Sequence, residues 1–302
     1  MSAKYAHLPL SPGILAAGVG LVLCLASSAR ACELAAEAPE AVRIEYDPFA
    51  VGSSSGPLDL QFENRSDTAC KLRLRLTDDL GEPRATIVLG GAIVEFRPRE
   101  SSGLLRRDLE PGVFLLDITA GQTVRAEVDA LVVQNAVVDA GEHQTDLRLA
   151  VEGTDGSAAI PAVPLHVILH SAPRAQVNIA GSAGAFGSGS SVEVVDFGLA
   201  ATGVKRRVFV QVRANAESTL SVKSEHRGVM RHLEMGEAGT VVAYLLELDG
   251  ESVDLSRDWT RLVDPPRTLA GVSLPLDFTL GAVSGQMSGR YEDLLTIDIW
   301  PN

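Results

Sequence analysis

The chain has 302 residues, 46% of them hydrophobic and 22% charged, with a formal net charge of −13. A chain this long and this apolar can bury a core, which excludes wholesale disorder. The acidic balance supplies none of the basic footprint of a nucleic-acid binder, and three Cys and six His are too few for a disulfide scaffold and offer no clustered metal site.

Lys4 and His7 precede an apolar run from Ile14 to Ala26, and Ser27, Ser28 and Ala29 follow it. This is the order of a secretory signal peptide, expected over residues 1–31. The run is short for a membrane span, which takes about 20 residues. Cleavage after Ala31 removes Cys24 and makes Cys32 the first exported residue. Cys32 and Cys70 then form an even pair in an oxidising compartment and are expected to be bonded. A Cys at the cleavage point also suggests lipidation, although Ala29 stands where a lipobox carries a large aliphatic residue.

Beyond a short helical stretch expected at Glu33–Ala38 and stopped by Pro39, the chain alternates with period two. Leu72, Leu74 and Leu76 share a face, as do Val124, Ala126, Val128, Ala130 and Val132. Leu147, Leu149 and Val151 follow, then Val163, Leu165, Val167 and Leu169. The second half repeats the habit at Val208, Val210 and Val212, at Leu220 and Val222, at Leu274, Leu276, Phe278 and Leu280, and at Leu295, Ile297 and Ile299. Successive side chains of a strand point to opposite faces, so these are strands with one face buried. Turn residues such as Gly153-Thr154-Asp155-Gly156 and Asp264-Pro265-Pro266 separate them. Short strands with frequent turns predict an all-β fold of the sandwich type.

The halves are related. Leu60–Leu72 and Val210–Val222 both read as strand, Asn-containing turn, strand, and Gly141–Leu149 finds a counterpart in Gly289–Ile297 at nearly the same offset. The reading is two tandem sandwich domains, residues 32–172 and 173–302, divided near Ser171-Ala172-Pro173-Arg174.

Within the second half, Val195-Asp196-Phe197-Gly198, then Ala243-Tyr244-Leu245-Leu246, then Gly289-Arg290-Tyr291-Glu292-Asp293 before an alternating strand, together resemble the spore coat protein U domain. That domain is shared by subunits of archaic, Csu-type chaperone–usher pili. The resemblance covers Val177 to Asn302 and marks Phe197, Gly198, Tyr244, Gly289, Tyr291 and Asp293 as structural residues of the motif. Leu220 stands where the first half has Cys70, so the second half lacks the Cys pair usual in the family. The resemblance implies an immunoglobulin-like sandwich that is often short of one strand. It implies partners that supply it: a periplasmic chaperone, an outer-membrane usher and neighbouring pilus subunits. It also implies transit through the periplasm to the cell surface, and two domains fit the pilus tip. The alternative is a free periplasmic or surface ligand-binding protein with two complete sandwiches.

No nucleophile–base constellation stands out, and no Gly-x-Ser-x-Gly elbow occurs, so no enzymatic activity, cofactor or metal is expected. His166 and His170 share a strand face without a carboxylate or Cys at ligand spacing. Gly181–Ser190 has the glycine content of a phosphate cradle but neither the Lys-Ser/Thr nor the helix that one needs. Arg97, Arg99, Arg106 and Arg107 surround Leu104 and Leu105, a candidate surface-contact loop for an anionic, polysaccharide or abiotic surface.

Overall fold

The computed structural model describes residues 32–99, 104–133, 136–187 and 189–302. The expected signal peptide lies outside the described residues, as does the tip at 100–103 of the arginine-bearing loop. Every regular element among the described residues is a strand, apart from a single 3₁₀ turn at Gly236–Ala238.

Eleven strands build the first half: β1 (Leu34–Glu37), β2 (Ala41–Tyr46), β3 (Ser55–Asn64), β4 (Cys70–Thr77), β5 (Thr86–Leu89), β6 (Ala92–Pro98), β7 (Leu105–Arg107), β8 (Val113–Ile118), β9 (Thr123–Val132), β10 (Gly141–Gly153) and β11 (Val163–Ser171). They form two sheets, ordered β1-β3-β9-β6-β5 and β2-β11-β10-β4-β8-β7. The alternation seen in the sequence packs the space between them. Leu72, Leu74 and Leu76 of β4 point inward at 1% exposure, while Lys71, Arg73 and Arg75 point out. Each such side chain contributes about 1.5–3 kcal/mol by leaving water.

Ten strands build the second half: β12 (Ala175–Ala180), β13 (Lys205–Ala214), β14 (Ser218–Ser224), β15 (Val229–His232), β16 (Val241–Leu248), β17 (Glu251–Val253), β18 (Trp259–Val263), β19 (Val272–Leu280), β20 (Tyr291–Glu292) and β21 (Leu295–Pro301). One sheet runs β12-β13-β19-β16-β15-β20, with β17 beside β16, and the other runs β18-β14-β21. A separate core, including Val210, Val212, Leu220, Val222, Leu246 and Leu276, lies between them.

The two sandwiches repeat one plan. β3-β9-β6 in the first matches β13-β19-β16 in the second, and β8-β4-β10 matches β18-β14-β21. Registers agree in detail: Leu60 opposes Ala126 as Val210 opposes Leu274, and Phe96 opposes Ala130 as Leu246 opposes Phe278.

The expectation of a helix at Glu33–Ala38 is corrected. Leu34–Glu37 is strand β1, paired antiparallel with Gln61–Asn64 of β3. Four residues give a propensity too weak to resist a sheet edge, and the Cys32–Cys70 disulfide, with Cα atoms 5.8 Å apart, holds the segment against it.

The sandwiches meet around Asn215, which is fully buried. Its Nδ2 donates to Val138 O, Ser171 Oγ and Ala172 O at 2.9–3.1 Å, and its Oδ1 accepts the Arg174 N–H at 2.7 Å. Arg174 bonds Asp47 at 2.6 Å, Arg267 bonds Asp139 at 2.6 Å, and the Arg213 guanidinium lies between the rings of Phe49 and Phe186, 4.5 and 4.1 Å from their centroids.

Candidate functional site

The internal repeat provides its own control for what is complete. In the first sandwich β10 sits between β4 and β11. Its inward Leu147, Leu149 and Val151 are 3, 2 and 1% exposed. In the second sandwich β21 holds the same place beside β14, but no described strand pairs with its other edge. Its inward Leu295, Ile297 and Ile299 are only half-buried. The sequence pattern is alike in the two strands; the cover is not.

The opposite wall shows the same difference. β2 is a strand because it pairs in parallel with β11, Val42 with Val167 and Ile44 with Leu169. Residues 191–199 hold the corresponding place between β12 and β13, and they join no ladder. Val195 and Phe197 pack inward on the core, while Val192 and Val194 are 76 and 82% exposed. Arg206 of β13 ties this wall down by donating to the carbonyls of Asp196 and Phe197 at 2.8 and 3.1 Å. Between the walls lies a groove of about 460 Å³, floored by Val208, Tyr244, Leu276 and Phe278.

The residues singled out from the family resemblance assemble around this groove. Phe197 on the wall meets Phe278 on the floor edge-on at 6.4 Å. Gly198 ends the wall at φ +68°, a conformation costly for residues with a Cβ, and its N–H donates to Asp196 Oδ1 at 2.7 Å. Asp293 is the polar node at the start of β21, with its side chain 3% exposed. It accepts from Tyr244 Oη and Ser224 Oγ at 2.6 Å each, and from the His226 and Leu294 N–H groups at 3.0 and 2.9 Å. Burial, and then the Asp293 carboxylate beside it, push the Tyr244 hydroxyl above its ordinary range, so it remains a donor. Tyr291 Oη donates to Met287 O at 2.8 Å and shares a hydrogen bond with Thr240 Oγ1. Its ring meets His232 at 5.1 Å. Gly289 passes so close to His232 that a Cβ would lie 2.2 Å from Nε2. Sequence reading missed Ser224 and His232. Their signal was weak: polar residues standing at inward positions of otherwise apolar strands.

The other singled-out residues lie away from the groove. Cys32 and Cys70 form their bond in the first sandwich. In the arginine-bearing loop Leu105 is 7% exposed and Leu104 packs on the core. Arg97 pairs with Glu95, Arg99 with Glu127 and Asp129, Arg106 with Asp117, and Arg107 with Glu95. These guanidinium groups are already matched to carboxylates, and a Leu105 truncation would report on the core rather than on surface attachment. His166 and His170 bond Asp146 and Glu45 at 2.7 Å each on the outer face. Among the described residues, no group of three or more His, Cys, Asp or Glu is placed to hold a metal ion.

Among the described residues neither wall carries a paired strand on the side facing the groove, and the floor between them is apolar, a geometry that suits an extended backbone with apolar side chains turned inward. No protein-family model matches the chain, and no curated protein matches it. Among solved structures the chain is similar to the CsuC–CsuE chaperone–tip adhesion subunit pre-assembly complex from archaic chaperone–usher Csu pili of Acinetobacter baumannii. That similarity has 10% identity and a TM-score of 0.45, over 88% of this chain and 100% of that one. It is also similar to CfaE, the adhesive subunit of CFA/I fimbria of enterotoxigenic Escherichia coli (13% identity, TM-score 0.37, 88% and 94% covered). The CupB6 tip adhesin from Pseudomonas aeruginosa is a third (9% identity, TM-score 0.36, 88% and 93% covered). Overlaps this low assign no role to the chain.

Proposed function

We propose that this chain is an exported, non-enzymatic subunit of a surface pilus of the chaperone–usher type. Its second sandwich takes an extended strand from another polypeptide, first a periplasmic chaperone and then a neighbouring subunit joined at the outer-membrane usher. The first sandwich, residues 32–172, is closed by its own β11 and is the module left free to touch a surface, as a subunit at the tip requires. The motif residues Phe197, Gly198, Tyr244, Gly289, Tyr291 and Asp293 shape the acceptor groove in the module of residues 173–302.

The observation that carries this reading is the contrast between β10 and β21. Both hold the same place in a repeated fold; β10 is paired on its outer edge by β11 and its apolar face is buried, while β21 has no described partner on that edge and its apolar face is half-buried. An apolar face beside an unpaired edge is a template for another chain.

The test uses the first sandwich as the donor. A copy of residues 154–162 and then of Val163–Ser171 is fused after Asn302, so that the added strand can fold back along β21 as β11 does along β10. The expected result is a higher unfolding midpoint for the second sandwich and a monomer in solution. A fused strand of the same composition in scrambled order leaves the midpoint where it was. If the true strand stabilises no more than the scrambled one, the acceptor reading fails.

A further inference from the structure

The groove is apolar on its floor and also along its rim. Val192 and Val194 on one wall are exposed, Leu294 at the start of the other is 62% exposed, and all three line the groove. The core does not account for them. Val195 and Phe197 of the same wall pack inward, and Val192 and Val194 do not. Leu294 is held by its backbone: its N–H donates to Asp293, and its carbonyl accepts the Glu225 N–H.

The first sandwich shows what such a surface carries when its cover strand is permanent. Outward side chains there are charged or imidazole: Arg43 and Glu45 on β2, His166 and His170 on β11, Glu142 and Asp146 on β10. They pair with one another, His166 with Asp146, His170 with Glu45, and Arg43 with Glu142. Ile168 is also outward on β11. It is flanked by Arg43 of β2 and Gln144 of β10, and it is only 8% exposed. Side chains on flanking strands can therefore bury an outward side chain of the strand between them. Where the outer surface of the closed sandwich stays in water it is polar; the rim of the open one is aliphatic, which marks a surface that is covered in use.

Resting on the acceptor reading above, we propose that the groove selects a strand that is apolar on both faces. The occupant is an extended segment of a partner protein. Its inward side chains fill the floor, and at least one of its outward side chains is aliphatic or aromatic and lies beside Val192 and Val194 on one flank or Leu294 on the other. Neighbouring strands of a sheet are about 4.8 Å apart, so their side chains on one face touch laterally. That contact removes from water an apolar area that the inward side chains do not reach.

The test uses the chain spanning residues 32–302 and synthetic peptides copied from Val163–Ser171, all keeping Leu165, Val167 and Leu169 for the floor. The reference peptide carries Ile168→Thr. Three further peptides each add one outward valine, by His166→Val, by Ile168→Val in place of that threonine, or by His170→Val. Dissociation constants are measured by titration calorimetry at about 0.05 and 0.5 M NaCl, which bracket strong and weak charge screening. The expected result is about two- to fivefold tighter binding than the reference for at least one valine peptide, the same at both salt concentrations. The gain disappears in a chain carrying Val192→Thr, Val194→Thr and Leu294→Thr, which still binds the reference peptide. All three side chains are exposed, so the core is undisturbed. If the reference binds and no valine tightens it, or if the gain persists in the triple variant, the rim proposal is overturned while the acceptor reading stands. If the triple variant instead turns a concentration-dependent dimer into a monomer in sedimentation and leaves every peptide affinity unchanged, the rim is a contact between copies of this chain and the proposal is again overturned. If no peptide binds either chain, the acceptor reading falls as well.

Discussion

Removing one inward side chain from the corresponding strand of each sandwich, β10 and β21, separates a covered strand from an uncovered one. Leu149 is 2% exposed, flanked by Leu76 of β4 and Val163 of β11. Leu149→Ala leaves a closed cavity, and the expected loss is about 2–5 kcal/mol. Ile297 is flanked by Val222 of β14 on one side and by the open groove on the other. Part of its surface is already in water, and its removal deepens a groove rather than making a void. The expected loss for Ile297→Ala is therefore about 1 kcal/mol. Fusing the additional strand after Asn302 covers Ile297, and the same substitution should then cost as much as Leu149→Ala. Urea unfolding resolves the two halves: the chain's two Trp, Trp259 and Trp300, both lie in the second sandwich, so their fluorescence follows that half, while far-UV circular dichroism follows the whole. The reasoning is refuted if Ile297→Ala costs as much as Leu149→Ala in the chain alone, or if the added strand leaves its cost unchanged.

Three further outcomes are expected. Replacing Cys32 and Cys70 together with Ser opens a loop of 38-residue separation and should destabilise the first sandwich by about 3–4 kcal/mol in urea, without moving the tryptophan-detected transition; an unmoved dichroism transition would contradict this. Asn215→Ala strips the donor from Val138 O, Ser171 Oγ and Ala172 O, and should cost about 1–3 kcal/mol and speed proteolytic cutting at residues 171–174; unchanged cutting would show that the sandwiches are held together elsewhere. Desolvation pushes the Asp47 carboxyl up, but bonds from Arg174 and from the Phe49 and Ala50 N–H groups outweigh it and hold its pKa below the ordinary value. Its contribution to stability is then fully present above about pH 4 and is lost as the pH falls through the lowered folded value. Arg174→Gln should flatten that part of the acid profile between pH 2 and 5, and an identical profile would refute the assignment.

The strands were legible because a half-buried sheet imposes period two on its residues, and runs such as Leu72-Arg73-Leu74-Arg75-Leu76 show it plainly. Glu33–Ala38 was misread because four paired residues are too few to display a period, and the sheet edge decides their conformation. The repeat was legible from matched turns and strands, but the uncovered face was not. Leu295-Thr296-Ile297-Asp298-Ile299 alternates as Leu147–Val151 does, and nothing in a strand's own residues records whether a neighbour covers it. The wall at 191–199 gave a fainter hint, since Val194-Val195 breaks the alternation that Val42, Ile44 and Tyr46 keep. The ion pairs of the arginines at 97–107 were not legible in the sequence because Asp117, Glu127 and Asp129, which meet Arg106 and Arg99, lie 11 to 30 residues away. Asn215 read as a turn residue because its partners at Val138 and Ser171 are 77 and 44 positions distant.

The unpaired edge of β21 limits what two identical molecules can do for each other. Laid edge to edge, two copies of β21 could continue one sheet into the next, but each copy would bring its whole second sandwich to the other's groove rather than a single extended segment. On the acceptor reading, a symmetric pair of this kind leaves the groove without the single extended strand that a head-to-tail donor would bring. Aggregation should therefore rise with the concentration of the lone chain and stop at one equivalent of a strand that fits.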